Sequence, residues 1–130
     1  MLPLSRVVLV AINSKHWEPR IKTEYVDDLQ FPKPRRFSLR AWVARGMRLL
    51  DPVHMPWPVR PGAIPALQVY QTLRRLSHEG GYVFILYGSY AEDYRGAIDE
   101  NTNLVVTRGD RPFSRASDYL GLDRQKMWRQ

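Results

Sequence analysis

The chain has 130 residues, 44% of them hydrophobic, enough for one compact domain spanning residues 1–130 with a core of its own. Twenty Lys and Arg against 13 Asp and Glu give a net charge of +7 and a pI near 10.1, a balance that attracts polyanions, most simply nucleic acid, without fixing a fold. The absence of cysteine excludes disulfides, thiolate nucleophiles and the commonest zinc sites, and His16, His54 and His78 are too widely separated to suggest a structural metal.

The opening "MLPLSRVVLVAINSKH" holds an apolar run too short to span a bilayer, with neither a basic leader nor a small-residue cleavage site. An intracellular protein of cytosol or nucleus, or a virion protein, is expected, neither secreted nor membrane-bound. Residues 6–12, "RVVLVAI", are β-branched and almost wholly apolar, as in a parallel strand covered on both faces. Residues 17–37 are polar and hold Pro19, Pro32 and Pro34, and so read as a long, proline-stiffened loop. Ser38 is placed to cap a helix whose Leu39, Trp42, Val43 and Gly46 share one face, and residues 47–50 read as a second strand. A second proline-rich loop, "DPVHMPWPVRPGAIP", leads to a helix over residues 65–79 that Gly80 and Gly81 end. Residues 82–87 and 103–107 supply the third and fourth strands, and residues 117–128 a last helix. Strands alternating with helices predict an α/β three-layer sandwich around a central, mostly parallel four-stranded sheet.

In such sheets ligands bind outside the carboxyl ends of the strands. Those ends read "AINSKH", "LLDP", "YGSYA" and "TRGDRPFS", each polar and irregular. Taken in order they resemble the uracil-DNA glycosylases. "WVARGMRLLD" is similar to that family's Trp-Ala-x-Gln-Gly-Val-x-Leu-Leu-Asn, and "VFILYGSYAEDYRGAID" to its Val-Phe-Leu-Leu-Trp-Gly-Ser-Tyr-Ala segment ending in Ile-Asp. "TRGDRPFS" stands in the place of Thr-Ala-His-Pro-Ser-Pro-Leu-Ser, and "FPKPRRFSL" in that of a proline-rich loop followed by Ser-Leu.

The resemblance implies a fold of the uracil-DNA-glycosylase kind, DNA as partner, and chemistry that needs no metal or other cofactor. Members of the family grip phosphates, flip a nucleotide out of the stack and cleave its glycosidic bond in a closed pocket. On this chain it assigns the backbone grip to Gly88, Ser89, Pro32, Pro34 and Ser38, and the apolar wedge that fills the vacated stack to Phe113. Arg35, Arg36, Arg108, Arg111 and Arg115 would add salt-sensitive attraction to phosphate.

The departures fall where chemistry would occur. The run "AINSKH" puts Asn13 where the family has a water-activating Asp, and a neutral amide can position water but cannot accept its proton near neutral pH. His16 survives from that half of the motif, and Lys15 replaces the Tyr that excludes the thymine methyl. Gly109 replaces a His that stabilises charge on the departing base, an electrostatic loss of about 3 kcal/mol. Asp51 stands where an Asn reads uracil, offering acceptors only, and Phe31 is the candidate for the ring that stacks on the base.

Read singly, these residues have plainer roles. Gly88-Ser89 makes an ordinary strand-to-helix turn, Asn13 a turn residue after a strand, the arginines a solvated face, and Trp42 a core residue, while Trp17 and Trp57 lie in loops where a partner could bury them. Three functions follow from the ordered set: a DNA-binding protein of glycosylase fold with hydrolysis lost or strongly impaired, a slow glycosylase acting on uracil, mismatched thymine or cytosine, or a protein-interaction subunit of a replication or virion assembly. The pairing of "AINS" with a water-holding Gly-Ile-Asn-Pro motif in mismatch-acting relatives favours the second. The loss of both catalytic poles favours the first.

Overall fold

The computed structural model describes residues 3–53 and 63–130. Four strands form the central sheet: β1 (Val7–Ala11), β2 (Arg48–Leu50), β5 (Val83–Tyr87) and β6 (Leu104–Thr107), in the order β2-β1-β5-β6 and parallel throughout. The expected three-layer sandwich is therefore present. A two-stranded parallel ribbon, β3 (Pro52–Val53) with β4 (Ile64–Pro65), lies outside that sheet. The remainder of the second proline-rich loop, including His54 and Trp57, lies outside the described residues.

Every residue of β1 and β5 is buried, which explains why both strands are unbroken apolar runs rather than alternating ones. The pleat sends Val7, Leu9, Ala11, Val83, Ile85 and Tyr87 to one layer and Val8, Val10, Phe84 and Leu86 to the other. The first layer holds α1 (Ser14–Leu29), α2 (Leu39–Ala44), α5 (Pro112–Leu120) and α6 (Arg124–Trp128). The second holds α3 (Ala66–Glu79) and the short α4 (Ser89–Glu92), which runs on into a 3-10 turn over Asp93–Ala97.

Two expectations need correction. Residues 17–29 are not loop but most of α1, whose buried Ile21, Tyr25 and Leu29 repeat every four residues on one face. Pro19 lies early in the helix, where the missing N–H removes one intrahelical bond, and the packing of that face outweighs the loss. The last helix is also two pieces. Pro112 occupies the first turn of α5, Gly121 ends it at φ 65°, and Asp123 caps α6 by accepting from the Gln125 N–H at 2.9 Å.

Around Tyr25, the rings of Phe31, Phe37, Trp42 and Phe113 pack with centroids 5.4–6.3 Å away, and Trp128 closes the cluster 5.0 Å from Trp42. The buried indoles keep their hydrogen bonds: Trp42 donates to the Trp128 carbonyl at 3.0 Å, and Trp128 donates to Ser117 Oγ at 2.7 Å. Ser38 caps α2 as expected, accepting from the Arg40 N–H at 3.1 Å. Gln130 grips the same residue, accepting from its N–H at 3.3 Å and donating to its carbonyl at 3.2 Å.

Candidate nucleic-acid interface

The strand order fixes where a ligand would enter. From β1 the chain goes to β2 on one side, and from β5 it goes to β6 on the other, so the carboxyl ends of β1 and β5 flank the point where the winding reverses. Asn13 and Ser14 follow β1, Asp51 follows β2, Gly88 follows β5 and Arg108 follows β6.

At the β1 end the polar groups satisfy one another. Asn13 takes a left-handed conformation, φ 56° and ψ 62°, and its carbonyl accepts from the His16 N–H at 2.9 Å. Asp51, 7% exposed, accepts from the Asn13 N–H at 2.8 Å through one oxygen and from the Ser14 N–H at 3.1 Å through the other, with the Ser14 hydroxyl at 3.4 Å. A carboxylate held by N–H groups at the positive end of α1 is a helix cap supplied from another strand. Asp51 and Asn13 are thus brought together, but through the Asn13 backbone. Both carboxylate oxygens accept from the chain itself at this turn. The Asn13 side chain makes no capping bond, and Lys15 and His16 point outward from the first turn of α1.

The β5 end is arranged differently. Gly88 has φ 101°, a conformation few side chains tolerate, and a Cβ there would lie 3.2 Å from the Trp17 ring. Trp17 packs edge-on against Tyr87 with centroids 5.6 Å apart, and the guanidinium groups of Arg20 and Arg108 stand 6.0 and 5.8 Å from its ring. Its indole therefore packs at the carboxyl end of β5, beside the residue that follows β6. Beyond Gly88, Ser89 is exposed and Tyr90 is 69% exposed.

About two helical turns along α1 from Trp17, Glu24 accepts a hydrogen bond from the Tyr87 hydroxyl and lies 3.7 Å from Arg108. Burial raises the Glu24 carboxyl above its ordinary range, opposed by the Tyr87 bond and by Arg108. Burial, then the adjacent Glu24, push the Tyr87 phenol far upward, so it remains a donor throughout the physiological range.

The remaining expected site residues scatter. Phe31 lies beyond the far end of α1 from Asn13, roughly 24 Å along a 16-residue helix, and packs on Tyr25, so it shares no pocket with Asn13 or Asp51. Pro32 and Pro34 lie on the segment joining α1 to α2, and the Ser38 hydroxyl is engaged as a cap. Phe113 is 3% exposed inside the aromatic cluster, so the expectation of a DNA wedge is corrected: in this fold the ring is core. Gly109 sits in the exposed turn Arg108–Asp110, which Asp110 closes by accepting from the Thr107 N–H at 3.2 Å and hydroxyl at 3.0 Å. Arg115 lies 3.9 Å from Asp110, and Arg111 follows at φ 52°.

Sequence reasoning missed Glu24, Tyr87 and Arg20 and left Trp17 in a loop. The signal that finds them is the four-residue spacing of Trp17, Ile21, Tyr25 and Leu29, which puts Arg20 and Glu24 on the flank beside the sheet edge. Two clefts lie elsewhere. One of about 380 Å³ involves Arg74, His78 and Asp99 near the amino ends of the strands, and one of about 450 Å³ lies between the far end of α1 and α5. Among the described residues no group of His, Asp and Glu is placed to hold a metal ion, and no helix is long and apolar enough to cross a membrane.

No family model matches the chain. It is similar to uracil-DNA glycosylases. The protein of that name from Lacticaseibacillus casei strain BL23 is 29% identical over 120 residues, covering 77% of this chain and 51% of the relative. The uracil-DNA glycosylase of Lacticaseibacillus paracasei strain ATCC 334 is 29% identical with the same coverage. The chain spans about half the length of these curated relatives.

Proposed function

We propose that this protein binds DNA with the carboxyl edge of a glycosylase-like sheet and has lost, or strongly impaired, hydrolysis of the glycosidic bond. The observation that carries the reading is the Trp17 indole packed on Tyr87 and over Gly88 at the carboxyl end of β5, where an extruded base would need room. Chemistry supports it. Asn13 offers a neutral amide where hydrolysis needs a base, Gly109 brings no side-chain donor to developing charge, and the Asp51 carboxylate caps α1. Binding is supported by the net charge of +7, by the similarity to the Lacticaseibacillus glycosylases and by the exposed Ser89 beside a glycine that lets backbone approach phosphate.

The test is binding of a fluorescent oligonucleotide over a series of salt concentrations. Each phosphate neutralised should add about 0.9 to the slope of log affinity against log salt for duplex, and about 0.7 for single strand. Ser89→Ala should weaken binding by roughly two- to ten-fold, the range of one hydrogen bond. Absence of binding at low salt would refute the reading and favour a protein-interaction role.

A further inference from the structure

We propose that Glu24 is an acid-sensitive latch on Arg108, holding its guanidinium while ionised and releasing it to a DNA phosphate once protonated. The inference rests on the DNA-binding reading and adds regulation to it. Arg108 follows β6 on the carboxyl edge of the sheet, 39% of its side chain is exposed, and its Nε lies 3.7 Å from Glu24 Oε1. A carboxylate at that distance competes with phosphate for the same donors.

The groups that face Glu24 from each element around it set its behaviour. From β5 the Tyr87 hydroxyl donates to Oε2, so one oxygen is tied to the sheet while the other faces Arg108. On α1 itself Arg20 and Asp28 lie one turn to either side, the first favouring the negative form and the second opposing it. Burial raises the carboxyl above its ordinary range, and the Tyr87 bond, Arg108 and Arg20 offset that rise without cancelling it. Glu24 therefore keeps its proton to higher pH than an exposed glutamate. While it is neutral the edge carries one more positive charge and Arg108 is free to meet a phosphate. As pH rises through the elevated value the carboxylate forms, recaptures Arg108, and DNA affinity falls. By linkage, bound DNA draws a proton onto Glu24.

The experiment follows binding of a labelled duplex by fluorescence anisotropy at one fixed low ionic strength, from about pH 5 to about pH 8, for the native protein, Glu24→Gln, Arg108→Ala and the double variant. Glutamine keeps an acceptor for Tyr87 and carries no charge. At about pH 7.5 Glu24→Gln should bind roughly two- to five-fold more tightly than the native protein, the range of a partly exposed ion pair, and the two should converge as pH falls. With alanine at 108 the same exchange should leave affinity nearly unchanged. Asp28, His16 and the other titratable groups are common to all four proteins and cancel in the comparison. Equal affinity of Glu24→Gln and the native protein at about pH 7.5 would overturn the latch while leaving DNA binding in place. So would a gain of the same size with alanine at 108, which marks net charge alone. Failure of all four proteins to bind at low salt would overturn the latch together with the reading beneath it.

Discussion

The ends of β1 and β5 lie side by side on one sheet edge, yet they use their backbone in opposite ways. After β1 the N–H groups of Asn13 and Ser14 turn inward onto Asp51, and the turn is closed by the protein's own carboxylate. After β5 Gly88 adopts φ 101°, Ser89 and Tyr90 face solvent, and Trp17 packs against Tyr87 and Gly88. An anion held by helix-start N–H groups is what such an edge offers a ligand, and at β1 the chain supplies that anion itself. One of the two strand ends is thus closed by the protein's own carboxylate, while the other leaves Ser89 and Tyr90 open to solvent.

Mutations that break this contrast rank by expected effect. Phe113→Ala should destabilise the fold by about 3–5 kcal/mol, as loss of a buried aromatic does, measured by denaturant titration; a DNA wedge would tolerate the change. Asp51→Ala leaves two N–H groups near the start of α1 without their acceptor and should lower stability by about 2–3 kcal/mol without abolishing DNA binding. Gly88→Ala places a Cβ 3.2 Å from the Trp17 ring at a positive φ, a strain of about 1–3 kcal/mol, and should both lower stability and weaken DNA binding. At the open turn, Ser89→Ala should leave stability within about 0.5 kcal/mol while weakening DNA binding.

The smallest effect concerns pH. The folded state holds the Glu24 proton more tightly than the unfolded chain, so ionisation of Glu24 opposes folding. That penalty is absent below the ordinary value of 4.5 and complete once pH exceeds the elevated folded value. Glu24→Gln should therefore gain on the native protein in thermal stability as pH rises through that window, with a constant offset above it.

Much of the fold was legible because its strands are buried on both faces: apolar runs such as "VVLVA" and "VFILY" have no plausible place but a covered parallel sheet. Gly80 and Ser38 marked helix boundaries for local reasons that hold in the structure. The first helix was hidden by Pro19 and by a polar composition, since its stability comes from tertiary packing of Ile21, Tyr25 and Leu29 rather than from propensity. Phe113 misled because "RPF" after a strand reads as loop, although a proline at that place is also the signature of a helix start. The role of Asp51 was illegible for another reason: its partners are 37 and 38 residues away, and no local pattern records a cap supplied across the sheet.

The central claim, an edge that holds DNA without cutting the glycosidic bond, is tested most directly by incubating a saturating excess of protein with a labelled uracil-containing strand, bound as judged by anisotropy, and treating it with alkali. The account predicts a bound strand that stays intact over hours. Scission at the uracil position that disappears in Asn13→Ala would contradict it.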